Sequence, residues 1–153
     1  LYAPTNNTCM DYYLNPVNPT VGGYHSSAVS LKIPVPEGDG QIGIFTAVDV
    51  ATGEALWTYQ QRAAITGSVL TTGGGLAFVT DDARKFRAFD VDTGEILWEQ
   101  ILNSSAGGFP TTFSVDGIQY LAIAAGGGVN HRTLTPEIRQ RSGGNMLFVF
   151  RLP

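Results

Sequence analysis

Positive charge is scarce in this chain. It has 9 Lys and Arg against 13 Asp and Glu, a net charge of −4. Without a cationic excess, nothing argues for nucleic acid binding. Histidine is scarcer still. His25 and His131 are far apart and have no acid at ligand spacing, so both read as polar loop residues. Cys9 is the one cysteine. No internal disulfide is possible, and Cys9 either pairs outside the chain or stays buried and free. No zinc-type Cys/His spacing and no haem-attachment motif occurs. No apolar run is long enough to span a bilayer. The chain opens on Leu1 rather than Met. It reads as a fragment or mature piece of a longer polypeptide, with any export signal upstream.

What is present is turn chemistry and a repeat. The 19 glycines and 8 prolines suit tight turns between short strands. The length of 153 residues, 43% of them hydrophobic, is enough for one domain with a core. Phe45 to Gln60 reads FTAVDVATGEALWTYQ, and Phe86 to Ile101 reads FRAFDVDTGEILWEQI, an offset of 41 residues. Ala47, Asp49, Val50, Thr52, Gly53, Glu54, Leu56 and Trp57 recur as Ala88, Asp90, Val91, Thr93, Gly94, Glu95, Leu97 and Trp98. A period of about 40–45 residues with strand-like content predicts a propeller with one four-stranded blade per repeat.

The remaining pattern fills in the blades. Short strands are predicted at Leu1–Pro4, Ser26–Ile33, Ile42–Val50, Ala55–Gln60, Gly67–Thr72, Leu76–Thr80, Phe86–Asp90 and Ile96–Ile101. Three more follow at Pro110–Val115, Ile118–Ala125 and Met146–Leu152, with Asp116-Gly117 as a hairpin signal. Thr5 to Gly23 and Gly126 to Gly144 read as two long loops, a length usually tied to function. With blade strands labelled A to D from the axis outward, the chain supplies B, C and D of one blade, all of the next, and A, B and C of a third. The blade pieces run over about residues 1–60, 61–102 and 103–153. The fold class is all-β, a partial propeller. The missing D strand could come from the polypeptide's own N-terminus.

Within the repeat, Asp and Thr can hydrogen-bond inside the turn, and glycine permits a close neighbour. Trp57 and Trp98 read as structural wedges between blades. This string, A-x-D-x-x-T-G-x-x-x-W, resembles the tryptophan-docking motif of the quinoprotein alcohol dehydrogenases, eight-bladed propellers that carry pyrroloquinoline quinone (PQQ). PTNNTCMDYY at Pro4–Tyr13, TGSVLTTGGGLAF at Thr66–Phe78, GGFPTTFSVDGIQYLAIAAGGG at Gly107–Gly128 and the closing SGGNMLFVFRLP resemble further family stretches, in family order.

The resemblance implies a periplasmic enzyme that oxidises a small alcohol by hydride transfer to PQQ, beside a calcium or lanthanide ion. A cytochrome c is the implied electron acceptor. It implies that Asn6 contacts the quinone, against the simpler reading that Asn6 caps a loop turn. Thr66, Gly128 and Asn130 fall on the same face by hairpin geometry and are the other cofactor-side candidates. The residues matching Thr66 and Asn130 are commonly tryptophans in methanol dehydrogenases, so a wider, more polar pocket and a substrate other than methanol are expected. The alternative is that the loop aligns differently and other residues fill the space. The family's general base, its metal ligands, its disulfide and its stacking tryptophan match nothing in these residues. They are expected elsewhere in the polypeptide, and the chain alone should be inactive.

Other polar groups read more plainly. Asp81-Asp82 reads as a solvated hairpin turn and Arg84, Lys85 and Arg87 as a solvated edge. Arg132, Arg139 and Arg141 read as surface loop residues. The rival function is a non-enzymatic propeller of the same repeat, such as an outer-membrane assembly scaffold. The Asn6 stretch and the two long loops favour the enzyme.

Overall fold

The computed structural model describes residues 1–18, 20–23, 28–126, 133–138 and 144–152. Every regular element among them is a β-strand. These are β1 (Tyr2–Asn6), β2 (Cys9–Leu14), β3 (Ala28–Ile33), β4 (Gly43–Val48), β5 (Ala55–Gln61) and β6 (Ile65–Thr71). β7 (Leu76–Asp81), β8 (Lys85–Asp90), β9 (Ile96–Ile101), β10 (Thr111–Val115), β11 (Ile118–Ala125) and β12 (Met146–Arg151) follow.

Among the described residues they form four antiparallel sheets: three in the orders β1-β4-β5, β6-β7-β8-β9 and β10-β11-β12, and the two-stranded β2-β3. The strand order is that of a partial propeller: B, C and D, then a whole blade, then A, B and C. The two long loops differ in outcome. Thr5–Gly23 is not one loop, because β1 runs on to Asn6 and Cys9–Leu14 forms β2, paired with β3. The sequence CMDYYL lacks period-2 alternation, which hid the strand. Cross-strand partners on β3 make it one, as in Tyr12↔Ser30 and Tyr13↔Val29. Much of Gly126–Gly144 lies outside the described residues.

The middle sheet is buried on both faces, and period-2 alternation decides which side chain meets which neighbour. Ala77, Val79 and Phe89 pack with Phe45 and Ile65, between the first and second sheets. Phe78, Phe86 and Ala88 pack with Leu102, Ala106, Leu121, Ile123 and Ala125, towards the third. That two-sided burial is why LAFVTD and KFRAFD carry few exposed positions.

The repeat turns hold the sheets in register. In the second copy, the N–H groups of Asp92 and Thr93 donate to Asp90 Oδ1 at 2.9 and 2.8 Å. These bonds, led by Thr93, hold the Asp90 carboxyl below its ordinary range. In the first copy Ala51 N–H donates to Asp49 Oδ1 at 2.8 Å. Trp57 then docks on the second copy. Its Nε1 donates to Val91 O at 2.9 Å, and its ring lies 5.2 Å from Phe45, edge to face. Trp98 packs edge to face on Phe86 and Phe150 at 5.7 and 5.2 Å. A groove of about 400 Å³ runs beside Trp98, lined by Leu76, Phe78, Leu121, Phe150 and Leu152 among others.

The charged stretch departs most from expectation. Asp81 and Asp82 are buried, each 1% exposed, not solvated. Arg87 is buried too, on β8, an interior strand of its sheet rather than an edge. Its Nη1 reaches Asp81 Oδ2 and its Nε reaches Glu99 Oε2, both at 2.7 Å. Gln61 of the first sheet joins them. Its Nε2 donates to Asp81 at 3.2 Å, and its Oε1 accepts from Arg87 at 2.8 Å. The odd-numbered side chains of β7 and β8 face the first sheet, so Asp81 and Arg87 were bound to be enclosed once that sheet docked.

Candidate functional site

Antiparallel order puts the start of each innermost strand and the end of the next at one end of the sheets. Asn6, Ile65-Thr66, Thr80 and the 102–110 passage all gather there. Asn6 closes β1 and reaches into the neighbouring sheet. Its Nδ2 donates to Ile65 O at 2.9 Å, and its Oδ1 accepts from Ile65 N–H at 2.8 Å. The side chain thus behaves like a peptide unit of one more strand. It caps no turn of its own loop. Asn6 stays exposed, which leaves the second Nδ2 hydrogen and an Oδ1 lone pair turned to solvent.

Thr66 follows directly and is half-buried. Its Oγ1 donates to Ala106 O at 3.1 Å. Thr80 Oγ1 lies 2.6 Å from both Thr66 O and Ala106 O, tying the second sheet to the lead-in of the third. Gly67 adopts φ +77°, and a Cβ there would sit 2.5 Å from Gly108 O. No other residue fits both the backbone conformation and the approach. A Cβ on Gly108 would in turn meet Ala124 O at 3.1 Å, and Gly126 N–H donates to Ser105 O at 3.1 Å.

The result is a continuous ledge across three sheets, from Asn6 through Thr66, Ala106 and Gly108 to Gly126. It is floored by backbone and small side chains. At its third-sheet end lies an open concavity of about 580 Å³, lined by Gly107, Gly108, Ala124, Ala125, Gly126, Asn145, Met146 and Leu147. A Cβ at Gly107 would meet nothing within 4 Å, so the surface there is open.

Of the sequence candidates, Asn6 and Thr66 are brought together. Gly128 and Asn130 lie outside the described residues, as do His25, His131, Arg132, Arg139 and Arg141. Thr80, Ala106 and Gly108 were not singled out by sequence reasoning. The Gly107-Gly108 pair was the available signal, since adjacent glycines mark close backbone approach. Among the described residues, no three His, Cys, Asp or Glu side chains gather as a metal site.

Replacing Asn6 with alanine leaves both Ile65 backbone groups to solvent. The expected cost is about 1 kcal/mol, because water reaches the exposed side. Asn6→Asp keeps the acceptor for Ile65 N–H but sets a carboxylate against Ile65 O, so it should not restore stability. Urea unfolding of the complete polypeptide measures both.

The model of the PQQ family, described as glucose/ethanol/alcohol dehydrogenase, β-propeller domain, matches residues 60–121. A quinoprotein alcohol dehydrogenase of Pseudomonas putida, PedH, is 30% identical over 157 residues, covering 99% of this chain and 26% of its own length. Subunit 1 of the methanol dehydrogenase [cytochrome c] of Methylobacterium organophilum is 34% identical, covering 80% of this chain and 20% of its own length. A solved structure titled europium-containing methanol dehydrogenase matches with TM-score 0.82 and 29% identity, over 99% of this chain and 30% of that one. The chain therefore spans about a fifth to a quarter of the length of these curated relatives.

Proposed function

Since this chain belongs with the PQQ-type β-propellers of the quinoprotein alcohol dehydrogenases, we propose that it is the C-terminal part of a periplasmic PQQ-dependent alcohol dehydrogenase. Its ledge supplies one wall of the cofactor and substrate pocket. The observation that carries this reading is the ledge itself, where Asn6 and Thr66 meet a backbone-floored surface. Asn6 would offer its free Nδ2 hydrogen and Oδ1 lone pair to the edge of PQQ, and Thr66 its hydroxyl lone pairs. When bound, the quinone serves as the two-electron acceptor for the alcohol.

The chain's own residues bind and orient. Asn6, Thr66 and Thr80 carry no ionisable group, so proton removal and metal binding are assigned to other parts of the polypeptide. Calcium or a lanthanide is the proposed ion, the latter in keeping with the europium-containing relative. A cytochrome c is the proposed electron acceptor, as the methanol dehydrogenase relative's name has for that protein. The rest of the propeller is the proposed neighbour of the groove beside Trp98.

The small Thr66 side chain and the open Gly107-Gly108 surface favour alcohols larger than methanol. The complete polypeptide, reconstituted with PQQ and calcium or lanthanum, should oxidise ethanol and butanol at least as well as methanol in a dye-linked assay. A strict methanol preference would overturn the size reading. Failure to bind PQQ with either ion would overturn the dehydrogenase reading and return the assembly-scaffold alternative. That alternative is not favoured, because the relatives described above are dehydrogenases by name.

A further inference from the structure

A second polar cluster lies at the same end of the sheets, beside the ledge rather than on it. Arg62, in the passage from β5 to β6, spends its guanidinium three ways. Nε donates to Glu137 Oε1 at 2.6 Å, Nη1 to Gly40 O at 2.8 Å and Nη2 to Leu134 O at 2.5 Å. Gly40 lies in the connection that leads into β4 of the first sheet. Leu134 and Glu137 lie in the chain between β11 and β12, both strands of the third sheet.

The seat is apolar as well as polar. Leu134 is 5% exposed and packs with Ile42 and Ala64. Thr135 is fully buried. The Arg62–Glu137 pair is solvent-exposed, with side chains 42% and 53% accessible, so water and salt screen it. Glu137's carboxyl is nonetheless held below its ordinary range, first by its own backbone N–H and then by Arg62. The carbonyl bonds and the Leu134 seat supply most of the hold. A planar guanidinium aims its donors in fixed directions, whereas the three donors of an ammonium rotate on a flexible stem. The consequence is topological. Residues that belong in sequence to the third sheet are held on the first, with the second sheet and its Thr66 between them.

We propose that Arg62 is a positioning residue for the ledge. It staples residues 134–137 to the first sheet, and so fixes them relative to Asn6 and Thr66. The staple stands on geometry alone. Its effect on catalysis rests on the dehydrogenase reading above.

The test uses the complete polypeptide with Arg62→Met, Arg62→Lys, Leu134→Ala and Glu137→Gln. Limited proteolysis, with cuts mapped by mass spectrometry, reports opening of residues 133–138. Cleavage there should rise about tenfold in Arg62→Met and Leu134→Ala, since it follows the open population. Glu137→Gln should change it by less than about threefold, as expected for a screened pair. Arg62→Lys should fall between. Unchanged cleavage in both Arg62→Met and Leu134→Ala would overturn the staple, and if one of these fails to fold, the other decides.

With PQQ loaded, Arg62→Met should raise the alcohol KM while kcat stays within about twofold, as when binding geometry loosens but the chemical step survives. Increased cleavage with unchanged KM and unchanged PQQ affinity would overturn the positioning role. A wild-type protein that binds no PQQ would instead overturn the dehydrogenase reading, with the proteolysis result still deciding the staple.

Discussion

Replacing Arg87 with methionine is expected to destabilise the folded protein by about 3–5 kcal/mol, because it leaves a buried carboxylate without its counter-ion. Asp81, 1% exposed, would keep only the Gln61 amide and the backbone N–H of Lys85, the latter at 2.9 Å from Oδ1. Glu99 would keep Lys85 at 3.1 Å. The double replacement Asp81→Leu with Arg87→Met should recover much of the loss, since apolar groups of similar volume often substitute for a buried pair without penalty. Equilibrium unfolding of the complete polypeptide measures both. A single Arg87→Met costing under about 1 kcal/mol would mean the network is open to water.

The same network sets a pH dependence. Burial works against ionisation of both Arg87 and Glu99. It is outweighed at Arg87 by Asp81 and Glu99, so the guanidinium's pKa is raised and it stays charged. It is outweighed at Glu99 by hydrogen bonds from Arg87 and Lys85, so that carboxyl is lowered. A carboxyl lowered on folding contributes stability above its unfolded value, about pH 4.3, and loses it as pH falls through the folded value. Stability should therefore decline on acidification below about pH 4, and that decline should be shallower in Arg87→Met.

The second large effect is at the docking turn. Gly94 has φ +74°, and a Cβ there would lie 2.7 Å from two ring atoms of Trp57. Gly94→Ala carries about 1–2 kcal/mol for the left-handed backbone. Pushing the indole aside adds about 1–3 kcal/mol and stretches its bond to Val91 O. Gly53, the same position in the first copy, has a similar φ of +77°. Gly94→Ala in a Trp57→Ala background should show the backbone cost alone, so denaturant unfolding in the two backgrounds isolates the tryptophan contact. Equal costs in both backgrounds would show that Trp57 does not lean on Gly94.

Gly94 shows how far the sequence was legible. The repeat marks it as a turn glycine that permits a close neighbour, but that the neighbour is the Trp57 ring of the first sheet follows from the docked sheets. The motif's local chemistry was readable, because Asp90 and the N–H groups it binds are within three residues of each other. Asp81, Asp82 and Arg87 are the reverse case, buried where a solvated turn and edge were expected. A charged stretch near a hairpin turn is usually solvated, and only docking of the first sheet through Gln61 encloses it.

Asn6 shows the limit at the candidate site. Its place at the end of a strand, on the same face as Thr66, followed from antiparallel order. Its clamp on Ile65, 59 residues away, left no local trace, nor did Arg62's reach to Glu137 across 75 residues.

By itself, then, the sequence determined the repeat, the strand periodicity, the turns and the two tryptophan wedges. All of these depend on residues within one hairpin and repeat visibly along the chain. Only the tertiary structure decided which polar groups are buried, that Trp57 stands against Gly94, and what binds Asn6 and Arg62. Those outcomes depend on which faces meet when sheets dock. A side chain's partner across such a junction is set by the angle and register of whole sheets, which no stretch of neighbouring residues encodes.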